Sequence, residues 1–414
     1  MSIKTQVKTR SPSYREFIIM MAVIISITAL SIDMMLPALP DIGQDLGAGH
    51  PNDAQLVVSI LILGLGIGQI FFGPLSDCFG RKPMVVTGFL IFTLGCLLSI
   101  FSRQFNVMLV GRLIQGIGVA GPRTAIVALI RDQYDGRAMA RIMSAVMAVF
   151  IVIPAIAPAL GQVILLKTNW RAIFGVLIIQ SIVALIWFTI RQPETLPRQH
   201  RIHFSAKRIL NGLVEVCTNR LSLGYTLAAG FMLAVLLAYL NCAQQIFQEI
   251  YHLGRQFPFY MAFISLSVGG ASFVNSRIVM RFGMRSLSYR AVIFFIILMI
   301  LYLAVTFQMG GNSPLWLMML CFMLSFFCLG ILFGNLNAIA MGPLGHIAGI
   351  GAAVIGSLSS LISSPLSLII GRYYNGTTIP LAMGFVILGV FTLIIMYWAD
   401  NFCPGESSRI NTKA

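Results

Sequence analysis

Twelve apolar runs of about 20 residues or more dominate this chain and dictate what it can become. They fall roughly at 17–39, 55–77, 83–101, 106–130, 140–166, 171–190, 221–247, 257–280, 288–308, 314–341, 347–371 and 379–399. A helix rises about 1.5 Å per residue, so about 20 residues cross the roughly 30 Å hydrocarbon core of a bilayer. Twelve such spans use about 264 positions of the 414, leaving two short tails, short loops and one longer segment. No soluble domain is left over. With no water in the bilayer to satisfy backbone groups, the pattern predicts an all-α membrane protein packed as a helix bundle.

Charge placement sets the orientation. The net charge is +15, and a pI near 9.9 ordinarily raises nucleic acid as a partner. If the N-terminus is cytoplasmic, 21 Lys and Arg fall on the inner side and five on the outer side. The remaining two, Arg112 and Arg123, lie inside spans. Such asymmetry is the positive-inside signature, which puts both termini in the cytoplasm of a multi-pass protein and removes nucleic acid as the expected partner. Residues 1–15 are basic, but the apolar run that follows is too long for a signal-peptide core, so an uncleaved first span is expected. The seven cysteines show no CxxC spacing and the five histidines make no metal set with acids; no disulfide, metal or cofactor is expected. The absence of a nucleotide loop or a Ser/His/Asp set argues against an enzyme, and the absence of polar rings argues against a channel.

The polar segment 191–220 separates six spans from six. Residues 1–190 are expected to form an N-terminal six-helix bundle, 191–220 a cytoplasmic linker, and 221–414 a C-terminal bundle. A repeat supports the division. Gly73-Pro-Leu-Ser-Asp77-Cys-Phe-Gly80-Arg81-Lys82-Pro83 follows span 2, and Ser276-Arg-Ile-Val-Met280-Arg-Phe-Gly283-Met-Arg285 follows span 8 at an offset of 203 residues. Duplicated halves with a midplane site are the plan of secondary transporters.

Scarcity singles out the candidate site. Of 13 acids only Asp33 lies well inside a span, where a carboxylate costs at least about 2.5 kcal/mol on insertion scales. Such a group is a candidate for loading and releasing a proton; the alternative is a structural Asp held permanently by an Arg. Span 1 is read as one continuous helix, which puts Asp33 six residues short of Leu39, while Arg112 lies six residues into span 4. Equal depth predicts that the two communicate, directly or through water or cargo. The alternative is Arg112 snorkelling to the interface. Arg123 follows Arg112 by 11 residues, which returns to within about 20° of the same helix face, with Gly116 between them. Arg123 either attracts an anionic or zwitterionic cargo or bonds backbone carbonyls and reaches toward Asp132.

In the C-terminal half, Tyr239, Asn241, Gln244 and Gln245 of span 7, Asn335 and Asn337 of span 10, and the serines of span 11 are candidates for cargo contact. Helix–helix bonding explains such groups as readily.

GPLSDCFGRKP at 73–83 and GRLIQGIG at 111–118 resemble the loop and span-4 motifs of the major facilitator superfamily. LSIDMMLPALP at 30–40, RD at 131–132 and PETLP at 193–197 look like its Bcr/CflA group of bacterial multidrug efflux proteins. The resemblance implies two pseudo-symmetric six-helix bundles. It also implies a monomer in the bacterial inner membrane that exports small drugs in exchange for protons by alternating access. For these residues it implies proton coupling through Asp33 and Arg112, and a cytoplasmic latch formed by Gly73, Asp77, Gly80, Arg81 and Arg131, whose alternative is loop folding alone. Pro154, Pro158 and Gly161 of span 5 resemble the antiporter motif, although Ala157 and Gln162 stand where that motif prefers Gly. A dedicated exporter of one anionic or zwitterionic metabolite such as a siderophore, or a symporter, remains a competing function.

Overall fold

The computed structural model describes residues 12–401 except 135, 198, 200 and 202–204. The basic tail at 1–11, Arg198, His200, His203 and Cys403 lie outside the described residues. Among the described residues all regular structure is helical. The helices are α1 (Tyr14–Asp33), α2 (Leu39–Leu46), α3 (Leu56–Phe79), α4 (Arg81–Ile100), α5 (Phe105–Gln133), α6 (Gly136–Leu165) and α7 (Trp170–Arg191). They continue as α8 (Ala206–Thr218), α9 (Arg220–Gln245), α10 (Phe257–Phe282), α11 (Met284–Gln308), α12 (Leu315–Met341), α13 (Ala348–Arg372) and α14 (Ile379–Asp400). Ten apolar stretches are long enough to cross a membrane; one of them, Leu315–Arg372, covers both α12 and α13. With α6 as the remaining long helix, the twelve expected spans are present. Span 1 consists of α1, a short 3-10 segment and α2, and span 7 runs from α9 into a π-helical turn over Ile246–Ile250.

The outer surface is apolar where lipid would lie. Ile179, Ile182, Val183, Ile186 and Ile190 of α7 are exposed, as are Phe294, Ile297 and Leu301 of α11. Polar side chains instead collect inside, so the bundle's interior is more hydrophilic than its belt, as a bilayer solvent requires.

Contacts at the helix ends sort the loops onto two sides. Glu16 at the start of α1 pairs with Arg191 at the end of α7, and Arg81 with Asp132. Arg285 pairs with Asp400 on the same side, which carries most of the Lys and Arg and is called here the basic side. On the opposite, far side Asn52 bonds the carbonyls of Arg372 and Tyr374, and Trp170 bonds Asp45.

The repeat is visible as backbone geometry. Gly80 (φ 106°) and Gly283 (φ 76°) are single-residue links between α3 and α4 and between α10 and α11, conformations that L side chains rarely adopt. The polar 191–220 segment is not irregular throughout. Ser205 caps α8, whose Gly212 abuts Ile350 of α13 and whose Glu215 accepts from His346 at 2.7 Å.

Helices before residue 191 meet helices after residue 220 chiefly at two places. α3 packs on α13, and α6 on α10. Within the first set α5 lies very close to α3, because Gly64 and Gly116 put backbone on backbone; a Cβ on either would collide with a carbonyl of the other helix. Gly116 therefore accommodates a close helix, α3.

Candidate functional site

Span 1 is interrupted immediately after Asp33. α1 ends there, Leu36–Ala38 forms a 3-10 turn, and α2 starts at Leu39. The cause is Pro37: it has no N–H to give the carbonyl four residues earlier, that of Asp33, and its ring crowds that oxygen. This corrects the expectation of one continuous helix over 17–39. The sole acid well inside a span thus sits where a 3-10 turn interrupts the α-helical bonding pattern, with Met34, Met35, Ala38 and Leu39 still in the right-handed helical region, and the Asp33 carbonyl lacks the N–H that a regular helix would give it.

Asp33 is 4% exposed. Among the described residues its carboxylate makes no hydrogen bond and no ion pair; its charge reaches Tyr239 on α9. Tyr239 is buried in an aromatic cluster, 4.7 Å from the Phe326 ring centroid and 6.1 Å from that of Phe322, with its hydroxyl on Met261 Sδ.

Arg112 is fully buried and is not joined to Asp33 directly. Its Nη2 donates to the carbonyl of Ser31 at 2.8 Å, its Nε to that of Val57 at 2.7 Å, and its Nη1 to Gln115 Oε1 at 2.9 Å. Gln115 in turn donates to Gly95 O and Ser99 Oγ of α4. Phe174 lies 5.8 Å from the guanidinium. Snorkelling is excluded, since the side chain is held on all sides within the bundle. Arg112 anchors the end of α1 two residues before Asp33. Gln115, one turn along the same face, was detectable as an i, i+3 neighbour. Arg123 is half-buried beside Pro122 on α5 and interacts with neighbouring groups.

The α6 motif reaches the same break. Gly161 lies against the Met34 peptide so closely that a Cβ there would overlap the Met34 carbonyl oxygen. Pro158, one turn earlier, is buried, and Pro154 is half-buried.

The expected cargo residues divide. Asn241 bonds Ser59 and Ser367, and Gln244 bonds Gln248. Both line a far-side cleft of about 320 Å³ with Gln55, Gln245 and Glu249. Asn335 makes a reciprocal amide pair with Asn275 of α10, both bonds 3.1 Å, while Asn337 is exposed and bonds its own helix at Phe333 O. Asn337 is thus turned away from its buried neighbour Asn335. Three of the α13 serines act between helices: Ser357 donates to Gly66 O, Ser364 to Ser59 O and Ser359 to Thr226 O, while Ser360, Ser363 and Ser367 donate to carbonyls of their own helix.

A seam that the motifs did not point to closes the far side. Gln55 donates to Gln245 and to Gly371 O, and Gln245 donates to Asn52 Oδ1 at 2.8 Å. Single amides on different helices carry no periodic signal, so only their assembly identifies them.

On the basic side Arg81, 4% exposed, binds Asp77 at 2.6 Å, Asp132 at 2.8 Å and Ser76 Oγ at 3.0 Å. Glu194 of the PETLP stretch accepts the backbone N–H groups of Arg81 and Lys82 at the start of α4, where the helix dipole favours a carboxylate. A Cβ on Gly80 would strike that carboxylate. Gly73 meets Ala353 of α13. Arg131 and Asp77 both approach Gly349 in the first turn of α13, 3.8 Å and 3.6 Å from the position a Cβ would take.

A family model described as Major Facilitator Superfamily matches residues 21–364. The chain belongs to that superfamily. A bicyclomycin resistance protein homolog of Haemophilus influenzae is 26% identical over 400 residues, covering 93% of this chain and 96% of the relative. A multidrug resistance protein MdtL of Klebsiella pneumoniae is 29% identical over 328 residues, covering 78% of this chain and 80% of the relative. Relatives so named bear out the resemblance to the Bcr/CflA efflux group. A solved D-xylose-proton symporter overlays with a TM-score of 0.72 over 95% of this chain and 98% of its own, at 15% identity, which shows the shared fold. This superfamily transporter carries the loop motif on its basic side and the span-4 motif around Arg112.

Proposed function

We propose that the protein exports small amphiphilic drugs or metabolites across the bacterial inner membrane in exchange for protons, by alternating access between helices before 191 and after 220. Asp33 is the coupling acid. The observation that carries this reading is that a carboxyl at the end of the broken first span is buried, with no hydrogen bond or ion pair among the described residues. A lone carboxylate in that place is costly, and a proton or a donor on the cargo removes the cost. Cargo and proton then compete for one group, which is the minimal requirement for exchange.

The basic side is read as cytoplasmic, with both termini there, and the monomer as the working unit. Proton loading of Asp33 from the far side releases cargo; proton loss to the cytoplasm prepares its capture. Arg112 keeps the end of α1 in place, and Asn241 and Gln244 contact cargo near the far-side cleft. One acid implies about one proton per cycle. Exchange is then electroneutral for a monocation and electrogenic for a neutral cargo.

A second reading is a dedicated exporter of one anionic or zwitterionic metabolite, or a symporter. Arg123, half-buried on α5 on the helix face of Arg112, supports it.

The test is a drug-susceptibility panel in an efflux-deficient bacterium, with wild type beside Asp33→Asn and Arg123→Ala, joined to proton release on adding cargo to purified protein. Asp33→Asn is expected to abolish both resistance and proton release. Full proton-coupled transport by Asp33→Asn overturns the first reading. A cargo range confined to lipophilic cations and unchanged by Arg123→Ala overturns the second.

A further inference from the structure

The antiporter-like stretch of α6 has a specific target. Gly161 does not face open space or a generic helix neighbour: it rests on the peptide of Met34, the first residue beyond the break in span 1. A Cβ at 161 would overlap the Met34 oxygen and come 3.0 Å from its carbonyl carbon and 3.2 Å from its Cα. From the other side Arg112 holds the carbonyl of Ser31. Asp33 lies between these two held points, on a stretch where Pro37 has removed the helical hydrogen bond that would otherwise fix it. α6 also packs across the interface onto α10. Pro154 and Pro158, in the two turns before Gly161, interrupt the hydrogen bonding of α6.

We propose that Gly161 is a positioning residue for Asp33. Its bare Cα is the seat on which the Met34 peptide rests, and α6 links the state of that peptide to the packing of α10. Movement of α6 against α10 as the two helix sets rock changes the support under Met34. That movement reorients the adjacent carboxyl toward one access route or the other. The inference rests on the reading of Asp33 as the coupling acid. It goes further in assigning what switches the exposure of that acid, and in giving the glycine of the α6 motif a contact that no other residue type could make.

Any added side-chain atom at 161 must displace the Met34 peptide, because the obstruction is backbone and not the end of a flexible side chain. Two glycines serve as controls. A Cβ on Gly175 of α7 meets nothing within 4 Å. A Cβ on Gly68 of α3 meets Ala120 Cβ at 2.7 Å and Ile117 O at 2.8 Å, so Gly68→Ala imposes comparable crowding away from the break.

The experiment measures cargo-driven proton release from purified protein as a function of pH, for wild type, Gly161→Ala, Gly68→Ala, Gly175→Ala and Asp33→Asn, with ethidium as the probe cargo. Gly161→Ala is expected to move the midpoint of the pH profile by about half a pH unit or more. Gly175→Ala leaves the profile in place, and Gly68→Ala lowers thermal stability with the midpoint unmoved. If Gly161→Ala does not reach the membrane, Pro158→Ala supplies the second reading. It straightens the turn that carries Gly161, withdraws the seat from Met34, and also moves the midpoint. An unmoved midpoint in whichever of the two variants folds overturns the proposal, as does an equal shift in Gly68→Ala. Wild-type proton release by Asp33→Asn is a different failure, that of the coupling acid itself.

Discussion

The basic-side cluster around Arg81 and the far-side amide seam both lie where the two helix sets meet, yet they are built from opposite materials. The basic-side cluster is ionic and belongs to one set and the linker that follows it: Asp77, Arg81 and Asp132 precede residue 191, and Glu194 lies at the start of the 191–220 segment. It touches the other set by van der Waals approach at Gly349 and Ala353. The seam is uncharged and joins the sets directly. The side-chain hydrogen bonds named above that join residues before 191 to residues after 220 lie between Asn52, at the far end, and Gly66, midway along α3. The far side is therefore closed in this structure by neutral bonds that can be exchanged for water at a small net cost, about 1 kcal/mol each. The basic side is ordered first within one set and only then presented to the other. Under the exchange proposed above, a far side that must open repeatedly is better closed by exchangeable amides, whereas charges removed from water need fixed partners.

The largest break in this contrast is expected at Arg81. Arg81→Ala strands Asp77 and Asp132 without their shared cation. It is expected to cost about 2–3 kcal/mol of stability in thermal unfolding, below the range for fully buried pairs because both carboxylates reach water. A loss under about 0.5 kcal/mol would reduce the cluster to surface decoration.

A smaller effect sharpens the other side. Cys242, buried within the seam's neighbourhood on α9, reports the gate when an impermeant maleimide is added from the far side. Gln245→Ala removes bonds to Gln55 and Asn52 and is expected to speed Cys242 modification about tenfold, the equivalent of about 1.4 kcal/mol. An unchanged rate removes the seam from the gate. Smallest of all is the response to salt. Raising ionic strength from about 0.05 to about 0.5 M should leave Cys242 modification within about twofold, because neutral hydrogen bonds are not screened, while the exposed pairs of the basic side weaken. A strong salt dependence at Cys242 would mean that charge holds the far side after all.

Much of the fold was legible residue by residue. The apolar runs located every long helix, and the Phe-Gly repeat marked the two links that the backbone renders with the same positive-φ glycine. The break in span 1 was also written in the chain, since Pro37 stands four residues after Asp33, but an apolar run does not show it: hydropathy measures transfer to lipid and is blind to a missing N–H. Equal depth suggested an Asp33–Arg112 meeting, and the guanidinium instead took backbone carbonyls of two helices, acceptors that no side-chain pattern displays. Asn241 and Gln245 were visible as polar residues in an apolar helix, while their partners Ser59 and Gln55 were not, because sequence separations of 182 and 190 residues carry no periodicity.

By itself the sequence determined that the chain lives in a bilayer, how many times it crosses, which side carries the positive charge, and which single acid lies inside a span. These follow from composition along a line: transfer energies, helix rise and charge placement need no knowledge of neighbours. Tertiary structure decided what that acid and the two arginines touch, that Gly161 rests on Met34, and that neutral amides close one side while charges order the other. Those are properties of distances between residues far apart in the chain, and they exist only once the helices have packed.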